Sequence, residues 1–201
     1  MIGLLWGLVL SLQAQERYFP PAFAEPSFVC DEPAGMSGKF EIVSDFENDW
    51  YSQHLLAARE PSLYAASLRR HPEWQETVRF TWLRSFHAPI VIRIETRSNG
   101  TRLIAKQLSG QGGYAPGKIE KMAGRTLTKA ETARLVPRKS AALAEAPSEC
   151  GLGADGAVWI VEGVDAKGYR FVKRWSPEKG NVRALGEYLL GLTGWQLGEI
   201  Y

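Results

Sequence analysis

Arg79-Phe80-Thr81-Trp82-Leu83-Arg84-Ser85 opens three strand-like segments whose reading decides the fold. Residues 90–97 and 101–108 supply the second and third. β-branched and aromatic side chains dominate all three, with turn residues between them, so the run reads as an antiparallel meander. Asn99-Gly100 is a strong hairpin signal, because a type I′ turn needs positive φ at both central residues. With that two-residue loop, Thr96 meets Leu103, Ile94 meets Ala105 and Ile92 meets Gln107 on one face. On the other face Arg97 meets Arg102, Glu95 meets Ile104 and Arg93 meets Lys106. The first turn, Phe86-His87-Ala88-Pro89, has no such signature, so parity decides, since a one-residue slip flips every side chain. Arg84 opposite Ile90 puts Phe80 and Trp82 beside Ile94 and Ile92 on one apolar face, and sets Arg79 against Glu95 on the polar one.

That register gives the polar face its interest. Arg93 and Lys106, placed directly opposite, repel each other. Glu162 stands in the otherwise apolar run Val158-Trp159-Ile160-Val161 and needs a partner if buried. It is the internal anion for the two cations if residues 157–175 join the same sheet. Arg93, Lys106 and Glu162, with Arg84 and His87 at the first turn, are the candidate binding residues; no catalytic residue is assigned. The competing reading makes them the solvated face of a sheet.

Outward from the meander, Ser44-Asp45-Phe46-Glu47 has capping-box spacing and predicts a helix to about residue 59, with Phe46, Trp50, Gln53 and Ala57 on one face. Pro61 can open a second short helix, ended by His71-Pro72. After the meander, residues 110–117 are glycine-rich but lack a phosphate-loop ending, and read as a mobile loop. Thr128 with Glu131 predicts another helix, interrupted or kinked at Pro137 and continuing to Ala146. A second hairpin follows, with strands at 157–164 and 169–175. Val182, Leu185, Leu189 and Leu192 then form the stripe of an amphipathic helix. Locally paired strands with helices before, between and after them predict an α+β fold, a mainly antiparallel sheet covered by helices.

The chain has 201 residues and a net charge of +2, too small to argue for nucleic acid. No apolar run reaches the length of a transmembrane helix. Ile2-Gly3-Leu4-Leu5-Trp6-Gly7-Leu8-Val9-Leu10 resembles the apolar core of a secretory signal, although no Lys or Arg precedes it; a buried N-terminal helix is the alternative. The expected organisation is a signal peptide at 1–15, an extended proline-rich arm at 16–43 and one α+β domain at 44–201. Cys30 and Cys150 are the two cysteines, enough for one disulfide in an oxidising compartment, against the alternative of two buried thiols.

Zinc-protease, nucleophile-elbow, phosphate-loop and Cys-x-x-Cys motifs are absent, and no metal or cofactor is expected. His54 and His71 read as solvated helical or capping residues. Asn99-Gly100-Thr101 matches a glycosylation sequon, but the turn accounts for it better. Trp82, Trp159, Trp175, Tyr169 and Phe171 read mainly as core, with a carbohydrate or peptide groove as the alternative. The segments Phe80-Thr81-Trp82-Leu83-Arg84-Ser85-Phe86-His87, Gly112-Gly113-Tyr114, Asp155-Gly156-Ala157-Val158-Trp159-Ile160-Val161-Glu162 and Arg174-Trp175-Ser176-Pro177 resemble those of uncharacterised exported bacterial proteins. The resemblance covers about residues 79–195 and implies a periplasmic or secreted protein without an assigned activity. Two functions follow as expectations. One is a non-enzymatic binding protein with an unknown protein or small-molecule partner in the cell envelope. The other is a small hydrolase-like enzyme using Glu162 or His87, with Arg93 as anion clamp.

Overall fold

Ser44 starts the first helix as its sequence requires. Its hydroxyl accepts the Glu47 amide, and the Glu47 carboxylate accepts the Ser44 amide at 2.9 Å. Thr128 and Glu131 repeat the arrangement, and Arg125 adds a bidentate pair that holds the Glu131 carboxyl down to about 2. The computed structural model describes residues 17–31, 37–69, 76–150, 153 and 155–201, without the side chains of Cys30, Asp31 and Ser37. The expected signal peptide, His71 and the Cys30 side chain therefore lie outside the described residues.

The elements are β1 (Pro26–Asp31), β2 (Ser37–Glu41), α1 (Asp45–Ala57), α2 (Leu63–Leu68), β3 (Glu76–Arg84), β4 (Ile90–Arg97), β5 (Gly100–Leu108), β6 (Ile119–Thr126), α3 (Lys129–Leu143), β7 (Ala157–Asp165), β8 (Gly168–Trp175) and α4 (Asn181–Leu192). The chain is α+β. β1 and β2 form a two-stranded sheet, and the other strands form one antiparallel sheet in the order β6-β5-β4-β3-β7-β8. The second hairpin thus joins the meander along β3, with Glu162 directly opposite Arg79.

Both faces of the large sheet are covered. On one face Val78, Phe80, Trp82, Ile92, Ile94, Leu103, Trp159 and Val161 pack under Leu135 of α3 and Val182, Leu185 and Leu189 of α4. On the other, Leu83, Val91, Leu108, Val158, Ile160 and Phe171 meet Tyr18, Phe19, Tyr51, Leu55 and Ala58. β3 and β7 sit centrally and are buried almost end to end.

The expected faces of the meander hold, but both registers are displaced by two residues. Ile94 pairs with Leu103, Ile92 with Ala105 and Glu95 with Arg102, so Arg97 and Gly100 flank a Ser98-Asn99 loop. This matches apolar with apolar and opposite charges, where the Asn99-Gly100 loop set Ile92 on Gln107. Phe80 likewise pairs with Ile92 and Val78 with Ile94, which adds Val78 to the apolar face. Arg79 consequently faces Arg93, not Glu95, and Arg93 faces Ile104, not Lys106.

Other expectations are corrected. The buried face of α1 is Tyr51, His54 and Leu55, whereas Phe46 is 75% exposed. His54 is wholly buried rather than solvated, its ring nitrogens 2.8 Å from the Trp50 carbonyl and 3.3 Å from the Gln111 carbonyl. The short helix is capped by Ser62, whose hydroxyl accepts the Ala65 amide. α3 runs through Pro137 without interruption and ends at Leu143, not Ala146. Residues 110–117 are tied to the first meander turn through Gly112 N–H to His87 O and Gly113 N–H to Ser85 O. A Cβ on Gly112 would lie 2.4 Å from the Arg84 amide nitrogen, so this close approach requires glycine. β6 and the β1–β2 hairpin have no counterpart in the sequence reading. β6 is an exposed edge strand of mixed polar residues without alternation.

Candidate functional site

Arg93, Lys106 and Glu162 are brought together, but as buried structure. The Arg79 guanidinium spans the cluster: Nε donates to Glu162 Oε2 at 2.7 Å, Nη2 to Glu162 Oε1 at 2.8 Å and Nη1 to the Pro61 carbonyl at 2.6 Å. The Tyr169 hydroxyl donates to the same carboxylate at 2.9 Å. Arg79 and Glu162 side chains have 0% exposure. Burial alone would lower the Arg79 guanidinium, but the charges of Glu162 and Glu60 outweigh it and hold it above its ordinary value.

The anion beside Arg93 and Lys106 is Glu60, a residue the sequence reading did not single out. Its carboxylate accepts from Arg93 Nε at 2.8 Å and from Lys106 Nζ at 2.5 Å. The end of α1 places it there. Arg59 has φ +51°, its amide donates to the Leu56 carbonyl and the Glu60 amide reaches back to the Leu55 carbonyl, so the chain turns down onto the sheet. Lys106 also donates to the Ala58 carbonyl at 2.8 Å, a cation at the negative end of the helix. Arg93 donates further to Glu95, which also accepts from Arg97. The competing reading of a solvated face is therefore overturned: these charges join the sheet to the α1–α2 connection.

Arg84 and His87 belong elsewhere. Arg84 stacks 4.3 Å over the Trp82 ring and donates to the Ala88 carbonyl at 2.8 Å. His87 Nδ1 lies 2.5 Å from the Tyr201 hydroxyl, and the main-chain oxygen of Tyr201 accepts from the Trp82 and Trp159 indoles at 3.0 and 2.9 Å. Among the described residues no three potential ligands gather around a metal position. No helix among them is long and apolar enough to cross a membrane.

Open space lies at a cleft of about 380 Å³ between β1–β2, the start of α1, residues 148–150 with Gly153, and the end of β8. Phe28 and Phe40 form one aromatic wall, Phe46 and Trp50 a second, and Trp175 closes the far end. Trp50 is fixed by its indole donating to the Gly112 carbonyl at 2.6 Å. The floor is polar but already bonded. Glu47 accepts the Ser44 amide and hydroxyl on one oxygen, and the Tyr51 hydroxyl and the Lys173 ammonium on the other. Burial pushes the Glu47 carboxyl up, but the Lys173 charge and these hydrogen bonds outweigh it and hold it below the usual carboxylate range. Arg174 is shared by Glu145 at 2.8 Å and Glu149 at 3.2 Å. Of the aromatic residues weighed from sequence, Trp175 lines the cleft, while Trp82, Trp159 and Phe171 are core. Phe46 and Trp50, placed on one helical face from their spacing, line the cleft as well, while Phe28 and Phe40 had no signal in the sequence.

No protein-family model matches the chain, and none of the curated proteins matches it in sequence.

Proposed function

We propose that the chain is an exported, non-enzymatic binding protein whose ligand enters the aromatic cleft. The observation that carries this reading is the cleft itself: a space of about 380 Å³, within the range of small-ligand pockets, walled by aromatic rings over a floor whose Glu47 carboxylate is fully hydrogen-bonded. Such a floor orients a ligand but has no carboxylate oxygen left to take up a proton. The hydrolase-like alternative needs its acid and base to converge in one pocket. Glu162 is wholly buried against Arg79 and Tyr169, and His87 contacts Tyr201 at the covering of the opposite face.

Nile red, a neutral apolar dye, tests the cleft. Wild-type protein is expected to bind it, and the double variant Phe28→Ser/Phe46→Ser to bind it about tenfold more weakly, a loss of about 1.4 kcal/mol. Equal affinity in both proteins overturns the cleft as the site.

Export rests on the apolar leader, the paired cysteines and the resemblance to exported bacterial proteins, which also supports a bacterial periplasmic or secreted setting. The Cys150 sulfur lies 3.7 Å from the Val29 carbonyl, beside Cys30 in β1. A Cys30–Cys150 bridge would join two walls of the cleft and remove entropy from the unfolded chain. Intact mass of the protein recovered from its native source is expected to place the first residue near Glu16, with two hydrogens fewer than the reduced form. Retained Met1 and two titratable thiols would reject both.

A further inference from the structure

The edges of the large sheet are not alike. On β8 the Lys173 amide donates to the Pro147 carbonyl at 2.9 Å, so the chain that follows α3 engages that edge. β6 is the other edge. One step beyond the Arg102–Thr126 pair, the Leu127 amide donates to the Thr101 carbonyl at 2.8 Å, which makes that a hydrogen-bonded pair. Bonded and non-bonded pairs alternate along an antiparallel ladder, so Thr126, Gly124 and Met122 turn their N–H and C=O groups away from β5. Among the described residues these amides have no acceptor, and of the carbonyls only that of Thr126 is met, by its neighbour Arg125 at 3.5 Å. Sheet edges are ordinarily guarded by charged side chains or bulges. Here the Lys121 ammonium is drawn 4.8 Å over the Trp195 ring, and Arg125 is bound to Glu131 and to the Leu192 carbonyl. The bulge leaves Glu120 out of the pairing, ahead of the straight run from Lys121 to Thr126. Met122, 67% exposed, stands on that run.

We propose that β6 pairs antiparallel with β6 of a second copy of this chain, about a twofold axis at Gly124. In that register Gly124 meets Gly124, Met122 meets Thr126 and Ala123 meets Arg125, each with its counterpart in the second copy. Met122, Gly124 and Thr126 then fall in bonded positions, so every outward amide and carbonyl of the run finds a partner. No like charges stand directly opposite. The neighbouring registers are worse. An axis at Ala123 sets Lys121 against Arg125, and one at Arg125 sets two arginines against each other, both repulsive. An axis at Met122 brings the bulge at Glu120 opposite Gly124. A twofold contact requires one surface to fit itself, and this run does so.

Charge swaps at the axis test this register. A Cβ at Gly124 would meet the Leu103 carbonyl at 3.7 Å and Arg102 Nη2 at 3.8 Å, ordinary contact, so a side chain fits there in a single copy. Sedimentation of the full chain over a concentration series is expected to show a monomer–dimer equilibrium. Gly124→Lys and Gly124→Glu, each checked for its fold by circular dichroism, should each weaken the dimer about tenfold, because like charges then face each other at the axis. An equimolar mixture of the two should recover dimer to the wild-type extent, which requires residue 124 to face residue 124. Met122→Pro removes an outward amide while leaving the bonds to β5 in place, and should be monomeric; it decides the matter if a charge variant fails to fold. Wild-type protein that is monomeric at every concentration overturns the proposal. So does a dimer that the charge variants or Met122→Pro leave intact, and so does a mixture that stays monomeric.

Discussion

Glu162→Ala is expected to destabilise the protein by about 3–5 kcal/mol, the cost of leaving an uncompensated charge after one partner of a buried pair is removed. The Arg79 guanidinium keeps one acceptor, the Pro61 carbonyl, and loses two hydrogen bonds and its counter-charge in a site with no exposure. The Tyr169 hydroxyl loses its acceptor at the same time. Glu60 still acts on Arg79 through its charge, but its oxygens accept from Arg93 and Lys106 rather than from Arg79, and Arg79 faces Arg93 across the sheet, a repulsive contact. Against a typical total stability of about 5–15 kcal/mol, the loss is large. The double variant Arg79→Met/Glu162→Leu should recover most of it, since apolar replacement of a buried pair is often neutral or better. Urea unfolding of the three proteins measures both effects. A loss below about 1 kcal/mol for Glu162→Ala, the range of exposed pairs, would mean the cluster is solvated.

Glu60→Ala has the second large effect. Its carboxylate is 1% exposed and serves both Arg93 and Lys106. Without it Arg79, Arg93 and Lys106 share one band of the sheet with Glu162 and Glu95, and Glu162 is already held by Arg79. The expected cost is again about 3–5 kcal/mol. Glu60→Gln should cost less, about 1–3 kcal/mol, because the amide oxygen can still accept one hydrogen bond. Added salt should change these losses little, since buried charges are poorly screened. Nile red binding measured at 10 °C on folded protein should survive Lys106→Met, because Lys106 caps the end of α1 rather than lining the cleft. A Glu60→Ala protein as stable as wild type would show that the two cations find water instead.

Two features of the same sheet separate local from global information. The face of each strand was legible, because side-chain alternation has a period of two and a one-residue slip would carry the charged residues of β4 onto the apolar face. The two-residue displacement was not legible, because it preserves both faces. It is chosen by Val78 and Leu103 finding apolar partners across the sheet. Similarly, the capping boxes at Ser44 and Thr128 rest on residues three apart, so the starts of α1 and α3 were read correctly. The burial of α1 was not, because its face depends on which strands lie beneath it.

The sequence by itself determined the α+β class, the meander with its second hairpin, the capped starts of α1 and α3 and the apolar stripe of α4, all of which rest on neighbours a few residues apart. Tertiary structure alone decided that charged residues alternating with apolar ones face a buried cluster rather than water. A second layer, the arm with α1 and α2, covers that face, and no property of the strands themselves encodes it. It also decided that Glu60 is the missing anion, since its position depends on Arg59 adopting positive φ, a conformation rare for a side chain of its type. The cleft has the same origin. Phe28, Phe40, Phe46, Trp50 and Trp175 come from four elements, and the space between them exists only once those elements pack.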